Sequence, residues 1–238
     1  MKQFKMRKIN LLLLGVDSQS AKILLEKQAQ HFGVILEEKD SLLCVRENNS
    51  IAHNGLRSEL KEFCAEVVAL FGSKALFGES LPQIALDLLK AKNLKLTTAE
   101  SCTGGLLAYQ FTKLSGASEV FDGGVISYAN AIKQKWLKVD SQSLETFGAV
   151  SESVVGQMTK GALELSGADI ALATSGIAGP LGGSAQKPVG LVFISVQAKN
   201  KGAKIERYCF KGTRTSIQKQ ACESALLMLI REVLESIP

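Results

Sequence analysis

Histidine is nearly absent. The 238 residues hold two, His31 and His53, and both precede residue 80. Nucleophilic catalysis by later residues therefore cannot rest on a Ser–His or Cys–His pair. The five cysteines (44, 64, 102, 209 and 222) are odd in number and widely spaced, with no CxxC and no histidine at metal-ligand spacing. That pattern argues against a zinc site or a disulfide framework, so no metal is expected; free thiols point to a reducing cytosol and a cytoplasmic location. Basic runs are missing too. Lys+Arg total 28 against 23 Asp+Glu, a net charge of +5 that is scattered along the chain, so no nucleic-acid footprint is expected. No apolar run reaches membrane-spanning length. The opening MKQFKMRKINLLLLGVDSQ has an apolar stretch only over residues 9–16, which leads into Asp17 without a small-residue cleavage site. It reads as a buried first strand rather than a secretory signal. Internal repeats and low-complexity segments are absent as well.

What is present is an ordinary globular composition, 46% hydrophobic and 21% charged. Residues 8–16 read as a strand, followed by a helix to about Phe32 and two short strands at 34–38 and 42–47. A helix over about 56–71 places Leu56, Leu60, Phe63, Cys64, Val67 and Phe71 on one face. This order suits a small α+β module. Ser80-Leu81-Pro82 then looks like an N-cap with proline in the first turn, opening a helix with Leu81, Ile84, Ala85, Leu88 and Leu89 on its apolar face. The domain boundary is placed there, giving domains 1–79 and 80–238. Beyond it, strands at 94–99, 123–128 and 170–176 alternate with helices at 103–114, 130–137 and from Ser151 to Gly167. LVFISVQA (191–198) and KIERYCF (204–210) pair as a hairpin, and a last helix spans 215–235. The expected fold class is α/β: a three-layer α/β/α sandwich with a mixed sheet, preceded by the α+β module.

In such sheets ligands gather where strands end and helices begin. Three places there are rich in polar residues. Glu100-Ser101-Cys102-Thr103-Gly104-Gly105 offers glycines for close backbone approach and amides for an anion or oxyanion, or else a tight turn with a capping serine. Ser127-Tyr128-Ala129-Asn130-Ala131-Ile132-Lys133 could turn Tyr128 and Lys133 into one cleft, or hold a rim aromatic and a solvated lysine. Residues 175–190 form a long Gly- and Pro-rich connection without P-loop spacing. With histidine excluded, the base able to activate Ser101 is a lysine or a carboxylate. A lysine must be neutral to accept a proton, so burial or a nearby positive charge must lower its pKa. Lys133 is the candidate. Ser184-x-x-Lys187, Ser216-x-x-Lys219 and Tyr109-x3-Lys113 are decoys of common patterns, and Cys102 reads as a buried, inert thiol rather than a rival nucleophile.

Taken together, AESCTGG (99–105), GGVISYANAIK (123–133), GAVSE (148–152), SGIAGPLGG (175–183) and KPVG (187–190) resemble the CinA C-terminal domain family. The resemblance runs from about residue 80 to the end, in order and with close spacing. It implies a nicotinamide-nucleotide amidase of pyridine-nucleotide salvage, which hydrolyses the carboxamide of nicotinamide mononucleotide to nicotinate mononucleotide and ammonia, with no cofactor. It also implies a Ser–Lys arrangement: Ser101 as nucleophile, Lys133 as general base, Tyr128 orienting the lysine or donating to it, and Ser175 helping to hold the dyad or the amide. Glu100, Cys102, Thr103, Gly104, Gly105, Asn130, Gly176 and Gly179 would line the substrate, with amides near 102–104 for the oxyanion and Lys187 and Arg214 for the ribose phosphate. The expected partners are the small nucleotide and a second copy of the chain, as homodimer or higher homo-oligomer. Two departures stand out. The family often reads Gly-Asp-Arg where this chain has Gly212-Thr213-Arg214, and an arginine soon after is here Gln218. They favour the alternative of a nucleotide-binding or regulatory protein without turnover. Full-length CinA proteins also carry a nucleotide-pyrophosphatase domain and a KH-like module. Residues 1–79 are too short for the first and, through LFGES and the strand–helix order, resemble the second. Without a Gly-x-x-Gly loop that module is read as structural or dimer-forming, and RNA binding as a third possibility.

Overall fold

The computed structural model describes residues 8–48 and 59–236, and it divides into two compact units, Met1–Ile84 and Ala85–Pro238. In the first, β1 (Lys8–Leu13) leads to α1 (Ser18–His31), where Asp17 accepts a hydrogen bond from the Ser20 amide as N-cap. The hairpin β2 (Val34–Lys39) and β3 (Leu42–Glu47) turns through Asp40 in the left-handed region. Then come α2 (Glu59–Phe71) and β4 (Ala75–Gly78). The sheet order is β2-β3-β1-β4 with every pair antiparallel. That βαββαβ order is the split βαβ arrangement. Leu11, Leu13, Leu25, Val45, Leu60, Phe63 and Val67 form its core. One detail differs from the sequence reading: strand β4, which follows a 3₁₀ turn, was not anticipated and is too short to show alternation. The expected start of the second helix at 56–58 lies outside the described residues.

Helix α3 (Leu81–Ala91) carries the division between the units, after Ile84. The second unit continues with β5 (Leu96–Glu100), α4 (Leu106–Thr112), β6 (Phe121–Ile126), α5 (Asn130–Leu137), α6 (Ser141–Phe147) and α7 (Glu152–Ser166). It ends with β7 (Ile170–Gly176), β8 (Leu191–Ala198), β9 (Lys204–Cys209) and α8 (Arg214–Ser236). The sheet order is β6-β5-β7-β8-β9: the first three strands run parallel, and β8 and β9 are antiparallel additions. Helix α7 packs one face through Val154, Val155, Met158 and Ala162 against Ala99, Ala171 and Ala173. Helix α8 and α4 cover the alternate residues of the other face. Covered on both sides, β7 is buried along almost its whole length. The mixed three-layer α/β sheet read from the sequence is the observed one. Helix α4 begins later than expected because residues 101–105 are a turn, and α6 was not anticipated from its single buried apolar residue, Leu144.

Candidate active site

Strand β5 lies between β6 and β7 and ends at Glu100, so the next residues emerge at the carboxyl edge of the parallel strands. There the chain makes a tight turn. Gly104 and Gly105 both take positive φ, +61° and +99°, which a side chain would strain. Glu100 was expected to line the substrate; the structure places it elsewhere. Its side chain is 1% exposed, and its carboxylate accepts the amides of Gly105 (2.9 Å), Leu107 (3.0 Å) and Ala108 (2.7 Å). A buried carboxylate that caps the start of α4 holds the turn rather than a ligand.

Other groups of the turn are assigned as firmly. The Ser101 amide donates to the Thr174 carbonyl at 3.0 Å and the Gly104 amide to the Ser101 carbonyl at 3.2 Å. The hydroxyls of Thr103 and Thr174 are 2.7 Å apart, both buried. Among the described residues, the amides of Cys102 and Thr103 have no oxygen acceptor, so they are the free donors of the turn. The Cys102 thiol is buried, which pushes its pKa up to about 12 and makes it inert.

Lys133, one turn into α5, has no exposed surface. Its Nζ lies 3.0 Å from Ser101 Oγ, 2.5 Å from the Ser127 carbonyl oxygen and 3.3 Å from that of Tyr128. Among the described residues no carboxylate pairs with it. Burial lowers its pKa to about 8. In the neutral amine, two N–H bonds to the two carbonyls leave the lone pair for the Ser101 hydroxyl. The geometry can therefore activate an alcohol at near-neutral pH.

The remaining expected residues divide. The Tyr128 ring is 62% exposed and touches the lysine only through its own main-chain oxygen; its hydroxyl accepts from Arg214 at 3.2 Å. Arg214 also donates to the Gly179 carbonyl at 2.9 Å, which ties the start of α8 to the 177–190 loop. Ser175 is fully buried and donates to the Ala149 carbonyl at 2.7 Å, not to the dyad. Lys187 donates to the carbonyls of Phe147 (2.5 Å) and Val150 (2.8 Å). Gly176 is needed for packing, since a side chain would stand 2.7 Å from the Leu191 carbonyl oxygen. Asn130 opens α5 and is exposed. Sequence reasoning missed one contact: Gln218, on α8, donates to the Cys102 carbonyl at 2.8 Å. The sequence marks Gln218 only as a departure from the family's arginine; its place beside the buried Ile217, Ala221 and Cys222 is the feature that turns it inward. Thr213 Oγ1 accepts the Ser216 amide at 3.3 Å and caps α8, as an aspartate there would. No group of three or more metal-ligating side chains occurs among the described residues.

The family model for the CinA C-terminal domain matches residues 78–233. The chain belongs to this family. A putative competence-damage inducible protein of Caldicellulosiruptor saccharolyticus is 46% identical over 156 residues, which cover 66% of this chain but only 38% of that relative. The chain thus spans well under half the length of that protein. A nicotinamide-nucleotide amidohydrolase, PncC, of Enterobacter agglomerans is 45% identical over 148 residues, 62% of this chain and 90% of the relative. Among solved structures, the competence/damage inducible protein CihA of Agrobacterium tumefaciens is 42% identical with a TM-score of 0.62, covering 63% of this chain and 92% of that one. The competence damage-inducible protein A of Klebsiella pneumoniae gives 35% identity and a TM-score of 0.64, covering 66% and 96%.

Proposed function

We propose that this CinA-family chain hydrolyses the carboxamide of nicotinamide mononucleotide, releasing ammonia and nicotinate mononucleotide through a Ser101–Lys133 dyad. The observation that carries this reading is a fully buried lysine 3.0 Å from a serine hydroxyl at the mouth of a parallel sheet. The name of the Enterobacter agglomerans relative supports the substrate.

Ser101 Oγ attacks the amide carbon while Lys133 takes the hydroxyl proton. The carbonyl oxygen becomes an oxyanion, for which the amides of Cys102 and Thr103, without an oxygen acceptor of their own, would be the donors. The lysinium then gives its proton to the departing nitrogen, so the C–N bond breaks with loss of ammonia and leaves an ester on Ser101. Water, deprotonated by the same lysine, attacks the ester and frees the carboxylate. The exposed Tyr128 ring offers a π-face to the cationic pyridinium. Arg214 uses two of a guanidinium's five N–H donors on protein oxygens, which leaves others for the phosphate. The reading as a binding protein without turnover rested on Thr213 and Gln218. The first is a helix cap and the second braces the turn, so neither takes a group away from the dyad.

The test is ammonia release from nicotinamide mononucleotide by the purified chain with EDTA present. Release that vanishes in folded Ser101→Ala supports the amidase. Folded wild-type protein that releases nothing would sink it.

A further inference from the structure

Gln218 reaches the nucleophile turn from 116 residues further along the chain. Its Nε2 donates to the main-chain oxygen of Cys102 at 2.8 Å. Four residues on, Cys222 lies on the same face of α8 and is buried. The bond matters because a peptide unit is planar and trans: the carbonyl of Cys102 and the N–H of Thr103 point in opposite directions across one plate. Fixing the oxygen on the α8 side fixes the N–H on the other. That N–H belongs to one of the two turn amides left free, whereas those of Ser101, Gly104, Gly105, Leu107 and Ala108 are already bonded. Thr103 is also held through its hydroxyl on Thr174 and through its carbonyl, which accepts the Leu106 amide at 3.0 Å, but neither group belongs to the 102–103 peptide plane, whose oxygen is held by Gln218.

We propose that Gln218 is a positioning residue of the reaction, which orients the Thr103 amide toward the oxyanion formed when Ser101 attacks. The inference rests on the amidase reading for its substrate but acts at a step any acylating reagent shares. Gln218 itself touches no substrate. Its effect is confined to the height of the acylation barrier, so it appears in kcat, not in substrate affinity.

Two variants remove the donor at similar size, Gln218→Leu and Gln218→Glu; Gln218→Arg restores a donor of longer reach. With nicotinamide mononucleotide, the two donorless variants lose about tenfold to a hundredfold in kcat, less than deleting an oxyanion donor outright, with KM within twofold of wild type. The rise of activity with pH keeps its midpoint, because Lys133 is untouched. Gln218→Arg recovers most of the rate. A merely structural role would instead lower the thermal midpoint and leave kcat of the folded fraction unchanged. The same variants are treated with a fluorophosphonate, read by intact mass. There Ser101 Oγ bonds to phosphorus, the P–F bond breaks with loss of fluoride, and the hydroxyl proton passes to Lys133. Labelling slows by the same factor in the donorless variants, and it reads the inference even if no ammonia is released from the nucleotide. Either donorless variant, folded, that keeps the wild-type kcat and labelling rate overturns the proposal. So does a change in KM alone, or wild-type protein whose Ser101 does not label.

Discussion

The turn at residues 101–105 and the loop at residues 177–190 are both glycine-rich connections at the carboxyl end of a central strand, yet they use polar residues in opposite ways. In the turn, a buried carboxylate absorbs the spare amides, and what remains open is one hydroxyl, two N–H groups and a lysine lone pair. The loop's cation, Lys187, binds main-chain oxygens of residues 147 and 150, and Arg214 holds the loop at Gly179. One connection leaves reactive groups free because its scaffold is satisfied from within. The other uses its charges as scaffold. Buried polar groups that are all paired fix a single geometry, and that is what a nucleophile needs.

This contrast can be broken at graded cost. Ser101→Ala should reduce amide hydrolysis about 10³-fold or more with the thermal midpoint nearly unchanged, and adding Lys133→Met should cost little further, because the two act as a unit. Activity measured with the single and double variants checks this. Next comes a stability effect of the lysine itself. Its folded pKa of about 8 lies below the ordinary 10.5, so between those values the unfolded chain binds more protons. Stability therefore rises with pH across that window, by roughly 3 kcal/mol for this group. Denaturant midpoints at pH 7.5 and 10 should diverge in wild type relative to Lys133→Met. Glu100→Gln replaces a double acceptor of three amides by a group with one oxygen and should destabilise by about 2 kcal/mol. The smallest effect belongs to the loop. Lys187→Met should cost about 1 kcal/mol and raise KM severalfold while kcat holds. If it instead lowered kcat as Lys133→Met does, the distinction between turn and loop would fail.

The sequence made the periodic elements legible because each long helix buries one stripe, as Val154, Val155, Met158 and Ala162 do on α7. It carried the α/β order and the family motifs for the same reason that it carries local chemistry: both are written in neighbouring residues. Strand β4 and helix α6 were illegible because four and seven residues give too few turns of a period to read. The roles of Ser175, Lys187 and Glu100 were hidden differently. Each residue was noticed, but its partner lies elsewhere, at Ala149, at Phe147 and Val150, or in the amides just beyond the turn. A donor is visible in a sequence; the acceptor that claims it is not. Leu165 shows the limit of periodicity itself. It continues the spacing of Met158 and Ala162 on α7, yet it is 60% exposed.

The most direct measurement is ammonia release from nicotinamide mononucleotide by wild type and folded Lys133→Met, side by side from pH 6 to 10. The account predicts a wild-type rate that rises with a midpoint near 8, where Lys133 loses its proton, and a variant slower by about 10² to 10⁴ with no such rise. A variant that matches the wild-type rate and its pH profile would contradict the account, because the proton of Ser101 would then be going somewhere other than Lys133.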